Sequence, residues 1–249
     1  MKYIGIAFSP PLTPGILNGT KTKSRRIYRP RTPEEIALMV NISAGCDVDR
    51  SMEELLRVNC PYRPGDIIWV REAHYAYGYW QDIEGKFTAS GRQKRKFYIY
   101  DRVGFPTPPR EWSFDEPDMT ETNHDGSVRW YKRLARFMPK KYARTFLEIT
   151  DVKLESLQDI TEADAIAEGV ERIDDPRGTA WKSYEIYHTG RWKGTPHPHS
   201  HVPNASPLTS FRELFESLHG PDAWTDNPWV WVLTFKKITE PENWPACSK

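Results

Sequence analysis

Eight consecutive residues, Gly19-Thr20-Lys21-Thr22-Lys23-Ser24-Arg25-Arg26, place two lysines, three hydroxyls and an arginine pair in one short run. A lysine beside a serine can serve as general base for a hydroxyl nucleophile, a variant of the serine-histidine logic, provided the lysine is neutral part of the time. That needs a pKa lowered from ~10.4 toward ~7 to 8 by burial or by like charges. Lys23, Arg25 and Arg26 are neighbours of the right sign. The same run could instead be a solvated turn or a contact for phosphate. A Walker loop is a poor fit, because Thr20 stands where a glycine must precede the lysine.

The elements that must hold this run are written on either side of it. Thr13 suits an N-cap, Pro14 the first helical position, Ile16 and Leu17 a buried face, and Gly19 a left-handed stop. If Thr22 to Arg26 then run as a strand, the period of two places Thr22, Ser24 and Arg26 on one face and Lys23 and Arg25 on the other. Lys21, at the bend, would then swing toward Ser24. Further on, Arg63-Pro64-Gly65-Asp66 is a turn feeding an apolar strand at Ile67 to Val70, with Arg71 and Glu72 at its end. Strands are also expected at Tyr3 to Phe8, Thr145 to Leu157 and Trp229 to Lys236, and an amphipathic helix at Ser210 to Leu218.

Between Ile160 and Gly169 a capped helix is spelled out, with Thr161 as N-cap, Asp164 at the capping-box position and Gly169 as the stop. Glu168 falls in its last turn, where the macrodipole disfavours a carboxylate, so another use for it is expected. Two long polar segments, Ala73 to Arg136 and Asp174 to Pro207, interrupt this framework as lids, partner surfaces or disorder. His197, His199 and His201 in the second could gather a metal, but the prolines between them and the lack of acidic or cysteine neighbours favour a surface loop.

At 249 residues the chain can bury a full core as one domain with inserts. A net charge of +1 gives no global field that demands nucleic acid, so any such site must be a local basic patch. Ten tryptophans and twelve tyrosines could supply base-stacking surfaces as well as core. Cys46, Cys60 and Cys247 show no CxxC or CxxH spacing, which argues against a disulfide framework and a structural zinc site. The apolar run at Tyr3 to Phe8 is too short for a membrane span. A reducing cytoplasm is the expected setting, and neither cofactor nor metal is called for.

Four segments taken together, PLTPGILNGTKTKSRR, YRPGDIIWVRE, RTFLEITDVKLESLQDITEADAIAEGV and FRELFES with DNPWVWVLTFKKI, resemble the ASCH-domain proteins, especially the long versions carried by phages and prophages. They cover a little under half of the chain. The family's GxKxxxxR marker is met by Gly19, Lys21 and Arg26. The resemblance implies an α+β fold: a PUA-like small β-barrel with flanking helices and a ligand cleft, here one domain over 1–249 with inserts at about 73–136 and 174–207.

Within that superfamily the chain is similar to bacterial 4-acetylcytidine amidohydrolases, which use a lysine, a threonine three residues later and a glutamate in the helix after the long strand. Those roles fall on Lys21, Ser24 and Glu168, with serine in the threonine's place. The implied activity is deacylation of a 4-acylated cytidine or related modified pyrimidine nucleoside. Ser24 would attack, Lys21 would take its proton, and Glu168 would hold the base edge or protonate the departing amine. Glu168 must then be either protonated by burial or placed across the substrate from Lys21. Thr22, Arg26, Trp69, Arg71, Glu72 and Arg144 are the expected substrate-binding residues. The alternatives are a nuclease, a non-catalytic cleft that binds another protein, or a reader of RNA or modified DNA. The reader would hold phosphate through Lys23, Arg25, Arg29, Arg31 and the segment Arg92 to Lys96.

Overall fold

The computed structural model describes residues 1–8, 12–104, 128–175, 178–184 and 203–244. His197, His199, His201 and Cys247 lie outside them. In chain order the elements are β1 (Tyr3–Ala7), α1 (Thr13–Leu17), β2 (Lys23–Ile27), α2 (Pro33–Ser43), α3 (Val48–Glu54), β3 (Ile67–Arg71), β4 (His74–Phe87), β5 (Gln93–Gly104) and β6 (Arg129–Arg133). There follow β7 (Phe146–Ser156), α4 (Glu162–Ala167), β8 (Arg172–Asp175), β9 (Gly178–Trp181), α5 (Pro207–His219) and β10 (Trp229–Ile238).

This is an α+β architecture. Its largest sheet has the order β1-β3-β7-β10-β2, and smaller sheets run β5-β4-β6 and β8-β9. Among the described residues β1 and β2 are the edges of the large sheet, which does not close into the expected barrel. No helix among them is long and apolar enough to cross a membrane.

The chain divides into two compact units: Met1–Ile4, Pro11–Ile68 and Phe146–Thr239 form the first, and Gly5–Pro10, Trp69–Thr145 and Glu240–Lys249 the second. In the first, β10 pairs antiparallel with β2 on one side and β7 on the other, so that Ser24 faces Leu233 and Arg25 faces Val232. Phe211, Leu214 and Phe215 of α5, at helical spacing, pack with Ala165 of α4 and with Val230 and Val232 of β10. Burying each such large side chain stabilises by ~1.5–3 kcal/mol, so this layer fixes α4 in the unit.

Several local expectations hold and some do not. Thr161 caps α4 with a complete capping box to Asp164, and Gly19 and Gly169 take φ of 81° and 89°. Helix α1 starts from Leu12 rather than Thr13, with no side-chain cap, and β2 begins at Lys23 rather than Thr22. Helix α2 was not foreseen, although Thr32 accepts from the Glu35 backbone N–H at 3.2 Å and Pro33 opens its first turn.

The second unit holds the β5-β4-β6 sheet, where the segment from Ala73 was expected to be a lid, a partner surface or disorder. Its interior face alternates along β4 as His74, Ala76 and Gly78, all buried. A Cβ on Gly78 would lie 2.0 Å from the Tyr98 carbonyl oxygen, so glycine is required there. The buried Arg133 guanidinium lies 4.7 Å, 4.5 Å and 4.8 Å from the rings of Trp80, Phe97 and Phe137.

Candidate functional site

Lys21 is placed by backbone before its side chain does anything. Its N–H donates to Gly15 O at 2.9 Å, the next N–H, of Thr22, donates to Ala167 O at 2.8 Å, and Thr22 O accepts from Phe235 N at 2.9 Å. The segment is thus tied to the ends of α1 and α4 and to β10. Gly15 and Gly169 form the slot for the lysine stem: a Cβ on either would sit 3.4 Å or 3.0 Å from Lys21 Cβ. At Gly169 the positive φ adds a second reason for glycine.

The slot delivers Nζ to the C-terminus of α4, where it donates to Glu168 O at 2.5 Å and to Glu168 Oε2 at 2.8 Å. Carbonyls left without helical partners carry partial negative charge there, and a cation satisfies them. The Lys21 side chain is 0% exposed and that of Glu168 5%. Burial drives the Lys21 pKa below its ordinary 10.5; Glu168 works against that shift, and the Arg26 and Arg25 charges add to it. Two residues 147 positions apart are therefore joined in one buried contact.

Three corrections follow from the same geometry. Lys21 turns to Glu168 and not to Ser24: no hydrogen bond joins Nζ to the Ser24 hydroxyl, and Ser24 is buried on β2 at 5% exposure. Glu168 lies against Lys21 rather than across a substrate from it, and its other oxygen, Oε1, accepts from Arg25 Nη1 at 3.3 Å. Lys23 and Arg25, the phosphate ligands of the nucleic-acid alternative, are engaged by acids. Lys23 Nζ donates to Asp164 Oδ1, while Arg25 Nη2 reaches Asp164 Oδ2 at 3.3 Å and Glu155 Oε2 at 3.5 Å. Arg25 also lies 6.0 Å from the Phe211 ring, and its buried Nε has no hydrogen-bond partner among the described residues.

Of the other expected residues, Thr22 is exposed beside Lys21, and Arg26 is half-buried within electrostatic reach of Glu168 and Tyr62. Trp69, Arg71, Glu72 and Arg144 belong to the second unit and form a group of their own. Arg144 clamps Glu72 through two bonds of 3.0 Å and 2.6 Å, and the Arg71 guanidinium lies 4.7 Å from the Trp69 ring. Glu72 and Arg144 thus satisfy one another's charges. Among the described residues no group of three His, Cys, Asp or Glu side chains is placed to hold a metal.

The Lys23-Asp164-Arg25 contact yields a pH prediction. Burial acts to raise the Asp164 pKa, but the Lys23 hydrogen bond and the charges of Arg25 and Lys23 outweigh it and hold the carboxyl at about 2, below its ordinary 3.8. A depressed carboxyl contributes stability that is present above pH 3.8 and is lost as pH falls through about 2. Asp164→Asn will therefore lower stability at pH 7 by on the order of 1 kcal/mol, after discounting for solvent screening. In urea titrations the gap to wild type closes as pH falls from about 4 to about 2. A gap unchanged at the acid end would assign the loss to capping instead of charge.

Compared with protein-family models, curated proteins and solved structures, the chain finds no match.

Proposed function

We propose that this protein is an amidohydrolase of the ASCH, PUA-like type that removes the acyl group from a 4-acylated cytidine or a related modified pyrimidine nucleoside. The observation that carries the reading is the fully buried Lys21, its pKa lowered, held by Glu168 and followed three residues on by the Ser24 hydroxyl. The open five-stranded sheet with α4 and α5 is the part of the architecture on which a PUA-like cleft would be built.

In this reading neutral Lys21 leaves Glu168 and accepts the Ser24 proton as Oγ attacks the acyl carbon. The carbon-nitrogen bond then breaks, and the Lys21 ammonium returns that proton to the departing exocyclic amine. Water next attacks the acyl-serine ester, giving up a proton to Lys21; the acyl carbon–Oγ bond breaks, Lys21 returns that proton to Ser24 Oγ, and the carboxylic acid leaves. Glu168, whose two oxygens accept from Lys21 and Arg25, holds the lysine and orients it rather than protonating the amine. Thr22, just before β2, and Arg26 within it would meet the substrate. The rival reading, a phosphate-gripping reader built on β2, has Lys23 and Arg25 already committed to Asp164, Glu155 and Glu168.

The test is incubation with a panel of 4-acylated cytidines and cytosines, following the ultraviolet change on deacylation. Ser24→Ala is expected to lower kcat by at least ~10³, whereas Ser24→Thr, with the same oxygen, retains turnover. Equal rates in wild type and Ser24→Ala would make water the nucleophile. Absence of turnover across the whole panel would overturn the proposed activity.

A further inference from the structure

On the face of β4 opposite His74, Ala76 and Gly78, the second unit carries an aromatic and basic surface that the chemistry at Lys21 does not use. Tyr79 stands directly across from Tyr98 of β5, and the two rings stack with centroids 5.4 Å apart and planes at 17°. Two rungs further out, Gln81 faces Lys96, whose ammonium lies 4.8 Å from the Tyr98 ring centroid. Residues directly opposite in an antiparallel pair share a face, and the period of two adds Lys94 to it. Gln81, Lys94, Lys96 and Tyr98 are all exposed, Tyr98 at 37%. Arg95, on the other face, is paired with Asp82 at 2.6 Å, so the acid of that rung does not neutralise the lysines.

We propose that this face binds single-stranded nucleic acid, with a base stacking on Tyr98 and phosphates held by Lys96 and Lys94. The exposed Tyr98 ring offers a π face to any base, Tyr79 stacks behind it, and lysines two residues apart along β5 follow a backbone. The Lys96 ammonium now covers a ring in a weak, solvent-exposed cation-π contact. It exchanges that contact for a phosphate oxygen when a base takes its place on the ring, with no change in the sheet. A duplex hides its base faces and cannot use the Tyr98 ring, and an acidic peptide has no need of it. The proposal is independent of deacylation and stands or falls without it.

The experiment is fluorescence anisotropy of the full chain with labelled oligo(U) and oligo(dT) of about 12 nucleotides, within the ordinary span of single-strand sites, and with a duplex of equal length. Both single strands are expected to bind at least about tenfold tighter than duplex, with a log-log salt slope near ~1.4 for two phosphates. Tyr98→Ala should weaken single-strand binding about tenfold while Tyr98→Phe retains it. Lys96→Gln should reduce the salt slope by ~0.7, and this arm carries the test if Tyr98→Ala fails to fold. Equal binding of duplex, equal competition by polyglutamate, no change in both variants, or no binding up to about 100 µM, the weak limit of non-specific association, would each overturn the assignment.

Discussion

Lys21→Met will abolish deacylation and lower stability by about 3 kcal/mol, at the low end of the ~3–5 kcal/mol cost of breaking a buried ion pair by removing one partner. The low end applies because Glu168 keeps its contact with Arg25, while the Glu168 carbonyl and Oε2 lose their donor. Urea denaturation measures the stability change, and the acylcytidine panel measures the rate. Adding Glu168→Leu to Lys21→Met removes the stranded acceptor and should recover part of the stability but none of the activity. Recovery of both would make the pair purely structural. In wild type, burial holds the Lys21 pKa below 10.5, so between that lowered pKa and 10.5 the unfolded chain binds more protons and stability rises with pH. Activity that depends on neutral Lys21 should rise through the lowered pKa as well, with a limb whose midpoint lies below 10.5.

Gly169→Ala is expected to destabilise by about 2–3 kcal/mol, of which ~1–2 kcal/mol is the cost of a left-handed residue with a Cβ. The remainder comes from the new methyl, which meets Lys21 Cβ at 3.0 Å, with Cγ and Cδ at 3.3 Å and 3.4 Å. The lysine stem must shift by a few tenths of an ångström, and Nζ moves off the Glu168 carboxylate. For a chain of this size the melting temperature should fall by about 5–10 °C, and deacylation should fall with it. Gly45→Ala is the control: φ is 71° there, and nothing lies within 4 Å of the added methyl. A Gly169→Ala loss no larger than that of Gly45→Ala would leave backbone strain as the whole effect and remove the claim that Gly169 shapes the lysine slot.

The local grammar of the chain was largely readable. Capping at Thr161 and Asp164, the stops at Gly19 and Gly169, and the apolar strands around Ile67 and Trp229 follow from rules that act over a few residues. The meeting of Lys21 with Glu168 was reached only through a family resemblance, since no local rule joins positions 147 apart. A physical signal for it does exist. Lys21, Lys23 and Arg25 recur every second residue, and Asp164 and Glu168 sit four apart, so a strand and a helix each present like charges on one side, and the signs are opposite. Dividing the run by its period of two put Lys23 and Arg25 together but turned Lys21, at the bend, toward Ser24, so the third member of the row was missed. Helix α2 escaped notice despite Thr32 and Glu35 standing three apart, a capping-box spacing. The β5-β4-β6 sheet was hidden for another reason: beyond Trp80 the strands carry polar residues on both faces, and the alternation fades.

As an edge strand of the large sheet, β2 has no strand partner on one side among the described residues, the arrangement most prone to recruiting another chain. Its cations emerge from the ribosome well before Asp164 and Glu168, which lie 141 and 147 residues beyond Lys23 and Lys21. At ~5–20 residues per second that interval lasts roughly 7–30 s. Through that interval Lys23 and Arg25 lack the acids of α4 that pair them in the finished fold, and like charges along an edge strand disfavour its pairing with a second copy. The acids that end this repulsion arrive with α4, after β7 and before β10. The ion pairs that fix Lys21 and its neighbours therefore become available only after more than half of the chain has been made.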